Sequence, residues 1–306
     1  MKTPNISSFF QRKSKRRKWG LWCILGGIGP LWLTIGALIF YTPYPPEFSL
    51  PKKSKSSLRL MTFNIAHGRR LAIHQIFVPP FQIKKNLDKI GDFLQKTSPD
   101  IVGLQEVDQN AFWSGGFSHL KYLAQKSKFP YWKMGVNNQR KGWLYLFYGN
   151  GILSKYKIEN FENVPFGHST FGEKGFLYAE IRRGKQRLPV VVLHLDFRTP
   201  NNRLRQAKIL CNYLNKRKNP QKPIIMGDFN CNQIQGDALN YILDKLKFSK
   251  NWVYPKKKFT FSTLWPRKSI DFLLIPPPFT LKWIKVLPVK LSDHFPVLAE
   301  ISLPKT

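Results

Sequence analysis

Short polar motifs, each placed at the end of an apolar run, constrain this chain more than any other feature of its sequence. Asn64, Glu106, His194 and Asp228 lie at or near the ends of the strand-like stretches LRLMTFNIA, DIVGLQEV, LPVVVLHLD and KPIIMGDFN. Polar groups at the ends of buried strands cost free energy unless something requires them there. The pattern therefore predicts a sheet protein whose functional groups gather at one end of the strands.

The residues at these strand ends suit a hard divalent cation and a phosphate group. They combine carboxylates, amides and imidazoles, namely Asn64, Glu106, His194, Asp228, Asn230, Asp271, Asp293 and His294. Carboxylate and amide oxygens suit Mg²⁺, with Mn²⁺ as the alternative cation, and a cation of this kind can polarise a phosphate. The residue types indicate a metal-dependent phosphoester hydrolase.

Helical spacing of apolar residues alternates with strand-like runs along the chain. The pattern predicts helices at 81–96, 118–126, 201–218 and 236–246, with strands around them. Gly184-Lys185 predicts a hairpin, and the section from Tyr156 to Gly175 is predicted to be rich in turns. Strands outnumber helices, which favours an α/β fold of two face-to-face sheets with helices outside them.

The chain is strongly basic and poor in cysteine. The formal net charge is +33, and the first 57 residues carry ten basic residues against one acidic residue, which leaves +24 for the rest. Such a domain favours polyanions, namely nucleic acid, anionic lipid headgroups or phosphorylated glycans. The alternative is scattered lysine used for solubility. Cys211 and Cys231 are expected to be reduced thiols, with a disulfide between them as the alternative.

The first 57 residues differ from the rest in composition. A basic arm at 1–18 precedes an uncharged apolar stretch at 19–42, and a Pro- and Lys-rich linker at 43–57 leads to a domain at 58–306. At about 1.5 Å per residue, the apolar stretch is long enough to cross a hydrocarbon core of roughly 30 Å. The basic arm predicts a single-pass signal anchor with a cytoplasmic N-terminus and an extracytoplasmic catalytic domain. A cleaved signal peptide is the alternative.

Seven motifs together resemble a known family. TFNIAHG, GLQEVD, YGNGILSKY, VVLHLD, IMGDFN, SIDFLLI and SDHFPVLAEI occur, in this order, as in the DNase I-like endonuclease/exonuclease/phosphatase superfamily. The relatives that the chain resembles include apurinic endonucleases, neutral sphingomyelinases and inositol polyphosphate 5-phosphatases. The resemblance covers about Leu58 to Leu303. It implies a four-layer α/β-sandwich of two packed, mainly antiparallel sheets with outer helices. The apolar stretch at 19–42 adds one predicted N-terminal transmembrane helix before this domain.

The resemblance implies a metal site and a base. Glu106 matches the principal Mg²⁺ ligand, with the amide oxygen of Asn64 helping and Asp293 assisting the metal or the water. Asp228 matches the base that activates the attacking water. The alternatives are a surface carboxylate for Glu106 and a simple turn for the GDFN motif.

The resemblance also implies groups that bind the phosphate. His294, oriented by Asp271, and His194 match imidazoles that face the phosphate, and Asn230 matches a donor to it. Asn150 resembles a substrate-positioning residue, although a turn beside two glycines is the alternative. His67 and Asp196 have open roles: His67 is a cleft contact or a plain loop residue, and Asp196 binds metal, orients His194 or caps the next turn.

The sequence ranks three functions. A membrane-anchored phosphodiesterase acting on a lipid headgroup or an unspecified phosphodiester comes first, and a DNA or RNA nuclease second. A non-catalytic membrane protein that binds polyanions comes third. The expected partners are the phosphoester substrate and the membrane, and no protein partner is indicated. Mono- or diesterase activity and the oligomeric state stay open.

Overall fold

Two six-stranded sheets form the centre of the domain in the computed structural model, which describes residues 49–54, 56–167, 172–217, 221–231 and 237–304. Their strands are β1 (Ser57–Asn64), β2 (Ile101–Ala111), β3 (Tyr131–Arg140), β4 (Leu146–Ser154), β5 (Lys157–Pro165), β6 (Gly175–Arg183), β7 (Gln186–His194), β8 (Ile224–Asp228), β9 (Val253–Tyr254), β10 (Asp271–Leu274), β11 (Thr280–Val286) and β12 (Val297–Ser302). The first sheet has the order β11-β12-β1-β2-β4-β3, and the second has the order β5-β6-β7-β8-β10-β9.

Each sheet is antiparallel except for one central parallel pair. β1 runs parallel to β2, and β7 runs parallel to β8. Because the carboxyl ends of parallel neighbours meet at the same edge, Asn64 comes beside Gln105 and His194 comes beside Asp228. The predicted pair of mainly antiparallel sheets is confirmed, and its two parallel pairs determine where the polar strand ends gather.

Helices cover the outer face of each sheet. They are α1 (Pro80–Thr97), α2 (His119–Lys126), α3 (Pro200–Lys216) and α4 (Asp237–Lys245). α1 and α2 pack on the first sheet, where Ile83 and Leu120 join Phe63 in one apolar cluster. α3 and α4 pack on the second sheet in the same way. The Thr199 hydroxyl caps α3 by accepting a hydrogen bond from the N–H of Asn202. The four layers of the predicted sandwich are therefore present.

A third apolar cluster fills the space between the two sheets. Leu60 of β1 and Val192 of β7 belong to it, whereas Met61 of β1 packs against the helices, as the two-residue period of a strand requires. The sheets approach closely at Gly103, where a Cβ atom would lie 3.0 Å from a methyl group of Val192. Gly103 therefore permits the close packing of the layers.

The inward-facing positions become polar at one end of the sandwich. Asp228 continues the inward row of Ile224 and Met226 on β8, and Asn64 continues the row of Leu60 on β1. His194 ends the corresponding row on β7. The side chains that the sequence singled out thus point into the space between the sheets, beyond the last apolar layer.

One prediction about the domain is wrong. The section from Tyr156 to Gly175 was expected to be rich in turns, but nine of its residues form strand β5 at the edge of the second sheet. The sequence of β5, KIENFENVP, is rich in Glu and Asn, which are rare in strands. An edge strand exposes much of its surface to water, so polar residues are tolerated there.

The predicted basic arm, the predicted transmembrane anchor and residues 43–48 of the predicted linker lie outside the described residues. Within the ranges that the structure describes, no helix has both the length and the apolar character needed to cross a membrane.

The apolar clusters of the domain are formed by residues of the domain itself and of the linker just before it. The three large apolar clusters draw their members from residues between Leu50 and Leu303. Residues from Pro45 onward also separate from the preceding residues as one unit. A fragment of residues 45–306 therefore contains all four layers and the groups that hold them together.

The two cysteines of the domain are buried thiols in the cluster beneath α3 and α4. Burial raises the pKa of the Cys211 thiol to about 12. A thiol with so high a pKa stays protonated and unreactive at neutral pH. The structure agrees with the expectation of two reduced thiols.

Candidate active site

A cleft of about 300 Å³ opens at the end of the sandwich where the polar strand ends meet. Its lining comes from both sheets and from the loops beyond them, and consists of Arg69, Glu106, His194, Phe197, Asp228, Asn230, Phe261, Lys268, Ile270, Asp293 and His294. Six of these residues are ones that the sequence singled out. The fold thus brings into one cleft side chains that are far apart in the chain.

Asp228 is the last residue of β8, and its carboxylate is almost completely buried. One carboxylate oxygen accepts a hydrogen bond from the side-chain amide of Asn64 at 3.1 Å, and the other accepts one from the backbone N–H of Asn230 at 2.9 Å. Burial and the nearby Asp271 carboxylate raise the pKa of Asp228 to about 7, despite the opposing effect of His294. A carboxylate of this pKa can accept a proton near neutral pH.

Asn230 follows Asp228 after one residue and has a left-handed backbone, with φ of 49°. Asn tolerates this conformation better than most residues. Its side-chain amide donates a hydrogen bond to the carbonyl of Leu195 at 2.9 Å. This bond ties the end of β8 to the end of β7 and holds the Asn230 amide at the cleft.

His294 lies between two carboxylates. Its Nδ1 atom is 2.9 Å from an oxygen of Asp271, and its Nε2 atom is 3.8 Å from an oxygen of Asp228. Burial disfavours a charged imidazole, but the two carboxylates outweigh burial and raise the pKa of His294 to about 10. The predicted pairing of His294 with Asp271 is present, and it keeps the imidazole protonated at neutral pH.

His194 has the opposite electrostatic environment. Its Nε2 atom lies 3.5 Å from Asp228 and 3.9 Å from Glu106. Burial, together with the charge of Lys174, lowers the pKa of His194 well below its usual value, even though Glu106 acts in the other direction. His194 is therefore a neutral imidazole beside the charged His294.

A β-bulge directs Glu106 into the cleft. Leu104 pairs with Gly151 and Val107 pairs with Gly149, so two residues of β2 lie opposite the single residue Asn150. Glu106 adopts φ of 54° in this bulge. Leu104 and Val107 both pack on the helix side of the sheet, which is compatible with a strand only because the bulge adds one residue between them.

Lys174 provides the nearest cation to Glu106. Its ammonium nitrogen lies 3.3 Å from a carboxylate oxygen of Glu106, and its side chain is largely buried. Burial disfavours ionised Glu106, but the charges of Lys174 and His67 outweigh burial and lower the pKa of Glu106 well below its usual value. Glu106 is therefore a carboxylate anion at neutral pH.

His67 lies between Glu106 and the buried carboxylate of Asp108. Its Nδ1 atom lies 2.6 Å from Asp108, and its Nε2 atom lies 3.7 Å from Glu106. Asp108 also accepts hydrogen bonds from the indole of Trp113 and from the hydroxyl of Ser114. Of the two alternatives for His67, the structure supports the residue that contacts the site, because the Asp108 network fixes its imidazole beside Glu106.

The other residues singled out by the sequence have different surroundings. The carboxylate of Asp293 forms an ion pair with Arg69. Asn150 is buried, and its amide donates a hydrogen bond to the carbonyl of Gly175 at 2.8 Å. Asp196 accepts hydrogen bonds from the N–H groups of Arg198 and Thr199, so it caps the turn before α3.

Two groups of donors could hold a cation. The first is the predicted pair, ionised Glu106 and the amide oxygen of Asn64, and the buried ammonium group of Lys174 shows that Glu106 attracts a cation. The second consists of Asp228, Asp271 and His294, whose ligand atoms lie within 4.8 Å of one another. The first group is made of oxygen donors only, whereas the second includes an imidazole nitrogen, so the pair at Glu106 fits Mg²⁺ better.

Lys174, Arg69 and Asp108 contact the site but were not singled out from the sequence. The sequence does contain an indication that Asp108 is near the site, since it lies two residues beyond Glu106 in a strand-like run. Nothing in the sequence distinguishes Lys174 or Arg69, because each is one basic residue among the 50 of the chain. Only the packing of the strands reveals their partners.

Comparisons with known proteins identify the family and the fold of this domain. The model of the Endonuclease/Exonuclease/phosphatase family matches residues 61–294, which run from β1 to His294. An uncharacterised protein of Escherichia coli K12, YbhP, is 29% identical over 189 residues, covering 57% of this chain and 67% of that protein.

Solved structures share the fold. A mannosyl-6-phosphatase from Bacteroides thetaiotaomicron aligns with a TM-score of 0.60 at 17% identity, over 80% of this chain and 100% of its own. Sphingomyelinase C from Streptomyces griseocarneus aligns with a TM-score of 0.56 at 21% identity, over 80% of this chain and 99% of its own. At these identities the likeness shows the fold alone. Each of these two proteins aligns over nearly its whole length with about four-fifths of this chain.

Proposed function

Because this chain belongs to the endonuclease/exonuclease/phosphatase family, we propose that it hydrolyses phosphoesters by in-line attack of water, with a bound Mg²⁺ or Mn²⁺ ion. The single observation that carries the proposal is the cleft in which Glu106, Asp228 and His294 converge. These residues offer an anionic ligand, a base and a cationic imidazole within one small volume. This is the combination that hydrolysis of a phosphoester requires.

Asp228 is the base in this proposal. Its pKa of about 7 lets it take a proton from the attacking water near neutral pH. The bonds from Asn64 and from the N–H of Asn230 hold its carboxylate in one orientation. Among the described residues that line the cleft, none is Ser, Thr or Cys, which favours water as the nucleophile over a side chain.

His294, His194 and Asn230 neutralise the charge that develops on the phosphate. His294 contributes a positive charge that Asp271 maintains. His194 contributes a neutral imidazole, and Asn230 an amide. Preorganised donors of this kind are worth about 10² to 10³ in rate each when they face developing charge. Asn150 is buried opposite the Glu106 bulge and does not line the cleft, so we assign it to positioning the substrate indirectly, through that bulge.

Glu106 and Asn64 would hold the cation, and Asp293 would assist the metal or the water. A divalent cation bound there would supply Lewis-acid polarisation of the phosphate and stabilise the leaving oxygen. Lys174 neutralises Glu106 when no cation is bound, because its ammonium group lies 3.3 Å from the carboxylate. Binding of the cation therefore competes with this ion pair.

The substrate that we favour is a phosphodiester at a membrane, such as a lipid headgroup. The apolar stretch at 19–42 and the basic arm before it support a single-pass anchor with the domain outside the cytoplasm. The likeness to a protein named sphingomyelinase C is compatible with a lipid substrate. A nuclease is the second candidate, because the net charge of the domain favours any polyanion.

A panel of substrates tests the proposal. The fragment 45–306 would be offered bis(4-nitrophenyl) phosphate, 4-nitrophenyl phosphate, supercoiled DNA and vesicles of sphingomyelin or phosphatidylglycerol, with and without Mg²⁺. We expect Mg²⁺-dependent turnover of a diester, highest on vesicles, and its loss in Glu106→Gln. The matched control is Asp244→Asn, which changes an exposed carboxylate far from the lining of the cleft.

The outcomes of this panel separate the candidates. Preferred cleavage of DNA would replace the lipid substrate with nucleic acid. Preferred cleavage of the monoester would make the protein a phosphatase. Turnover that persists without a divalent cation, or absence of turnover on every substrate by a folded domain, would overturn the proposal.

A further inference from the structure

Exposed apolar side chains concentrate at the cleft end of the domain. In the part of the chain that the structure describes, ten large apolar side chains are exposed, and nine of them lie on segments at that end. The nine are Ile73, Ile76, Phe77, Phe81, Trp143, Phe197, Phe259, Leu264 and Trp265. The tenth, Tyr131, begins β3 at the opposite end, where it pairs with Ser154. Scattered exposed apolar residues are normal, but a concentration at one end indicates an interaction surface.

Two loops that carry most of these residues meet at Asp293. The first rim loop, defined here as residues 69–81 and including the first two residues of α1, pairs with Asp293 through the Arg69 guanidinium. The second rim loop, residues 255–268, contacts the same residue through the N–H of Thr263, which donates to the Asp293 carbonyl at 2.9 Å. Both loops also supply residues that line the cleft. Their apolar tips therefore stand on the rim of the candidate active site.

Two further segments complete the rim. Phe197, which is 62% exposed, lines the cleft directly. Trp143, which is 88% exposed, lies in the turn of the β3–β4 hairpin. Leu146, just after that turn, pairs with Ala111 at the carboxyl end of β2, so the turn projects beyond the site end of the first sheet.

The exposed charged side chains of the rim segments are all basic, and they lie on the second rim loop, on the hairpin turn and at Arg198. In the first rim loop, Arg69 is paired with Asp293 and Arg70 is buried. The sequences of the two rim loops, of the hairpin turn (RKGWLY) and of residues 197–199 contain no Asp or Glu. They contain Arg and Lys next to the apolar residues. Arg267 lies over the ring of Trp265 and Arg198 over the ring of Phe197, at 5.0 and 5.5 Å from the ring centres. Apolar tips among cations are typical of surfaces that enter the headgroup region of an anionic bilayer.

From these observations we infer that the rim docks onto an anionic lipid bilayer, with the apolar tips inserted and the cleft facing the headgroups. A second copy of this chain does not fit, because two such cationic surfaces repel each other. Single-stranded nucleic acid fits less well, because Ile73, Ile76 and Leu264 have no aromatic face on which a base could stack. A bilayer accepts both aliphatic and aromatic side chains, and its anionic headgroups attract the cations around them.

This inference rests on the proposed function, and deepens it by giving the class of substrate. A cleft whose rim lies in the headgroup layer takes its phosphoester from a lipid of that layer. The rim also explains how the enzyme would reach such a substrate without extracting it from the membrane.

Vesicle binding tests the inference without any turnover. The fragment 45–306 carrying Asp228→Asn would be sedimented with vesicles of phosphatidylcholine, alone or mixed with phosphatidylglycerol. We expect stronger binding to the mixed vesicles. The double variant Phe77→Ser/Trp265→Ser should weaken that binding at least about tenfold, because two aromatic side chains no longer leave water. Both side chains are exposed, at 76% and 66%, so the fold should be retained.

Matched variants and ligands identify what the rim binds. Tyr131→Ser removes an exposed aromatic ring at the opposite end and should leave vesicle binding unchanged. Lys257→Gln/Lys258→Gln should weaken binding to the mixed vesicles only. Hydrolysis of bis(4-nitrophenyl) phosphate by Phe77→Ser/Trp265→Ser in the otherwise native fragment should be unchanged, so failure of docking and failure of hydrolysis are distinguishable.

Three results would overturn the inference. One is vesicle binding that the Phe77→Ser/Trp265→Ser variant retains in full. Another is an equal loss in Tyr131→Ser, which would mean that the binding is not located at the rim. The third is a loss of affinity for a single-stranded oligonucleotide, measured by anisotropy, without any loss for vesicles, which would assign the rim to nucleic acid.

Discussion

The side-chain amide of Asn64 on the first sheet donates a hydrogen bond to the carboxylate of Asp228 on the second sheet, at 3.1 Å. This bond crosses between the two sheets at the end where the apolar packing stops. It places the proposed base of one sheet beside the proposed metal ligand of the other. The site therefore depends on how the sheets are packed, and it exists in neither sheet alone.

The pH dependence of hydrolysis should follow Asp228 and His294. Asp228 must be ionised, so activity falls as pH drops through its pKa, whereas His294 must be charged, so activity falls as pH rises through its pKa. Burial and Asp271 raise the pKa of Asp228 to about 7, and Asp271 together with Asp228 outweighs burial and raises the pKa of His294 to about 10. In Asp271→Asn this negative charge is gone, so both limbs of the pH–rate profile should move to lower pH, by about one unit or more.

The measurement is kcat/KM against pH at saturating Mg²⁺ for the fragment 45–306 and its Asp271→Asn variant. Asp196→Asn is the control, because Asp196 only caps a turn and its loss should leave both limbs in place. Movement of the limbs in opposite directions would mean that Asp271 does not set both pKa values.

Affinity for the cation should respond in opposite directions to changes in Glu106 and Lys174. Glu106→Gln removes the anionic ligand and should weaken Mn²⁺ or Mg²⁺ binding at least about tenfold. Lys174→Met removes the competing ammonium group, 3.3 Å from Glu106, and should strengthen binding several-fold. Calorimetric titration without substrate measures both effects.

A lysine elsewhere provides the control for this titration. Lys155 lies 3.8 Å from the buried carboxylate of Asp100, outside the lining of the cleft. Lys155→Met should therefore leave the affinity for the cation unchanged. Weaker binding in Lys174→Met would show that Lys174 supports the metal site instead of competing with the metal.

Stability should depend on the buried ion pair of Arg59 with Glu300. The two side chains are almost fully buried, with Nε 3.1 Å from a carboxylate oxygen, and Ser57 donates a second bond to Glu300 at 2.6 Å. Glu300→Leu leaves the buried guanidinium without a carboxylate, with only the backbone carbonyls of Thr97 and Pro51 as partners, and should lower the free energy of unfolding by about 3 kcal/mol. Arg59→Met/Glu300→Leu removes both charges and should recover most of that loss.

Urea unfolding of the fragment measures these changes. Asp244→Asn is the surface control, because Asp244 pairs with Lys245 in exposed surroundings and should matter little. The pair of Arg59 and Glu300 also predicts the direction in which stability changes with pH. Burial opposes ionisation of Glu300, but Ser57 and Arg59 outweigh it and lower its pKa. Its stabilising effect is therefore present at neutral pH and is lost as the pH falls through the folded-state pKa.

The positions of Asn64, His194 and Asp228 could be predicted because strands have a strict two-residue period. Each of these polar residues continues an inward-facing apolar row, so its direction follows from the letters of one strand. Their meeting at one end follows from the two parallel pairs. The pattern within single strands is therefore enough to predict the residues at the centre of the site.

The bulge at Glu106 and the ion pair with Lys174 could not be predicted in this way. A bulge depends on the partner strand, here at Asn150, which the sequence of β2 does not contain. Lys174 is 68 residues from Glu106 and stands in an ordinary polar stretch. Strand β5 was missed for a related reason, since its edge position permits residues that are untypical of strands.

The most direct measurement is the initial rate of bis(4-nitrophenyl) phosphate hydrolysis at saturating Mg²⁺, for the fragment 45–306 and its Asp228→Asn variant. Loss of a general base costs about 10²- to 10⁴-fold in rate, so we predict a drop of that size in a variant with unchanged circular dichroism and Mg²⁺ affinity. Equal rates in the two proteins would contradict the assignment of Asp228 as the base that activates water.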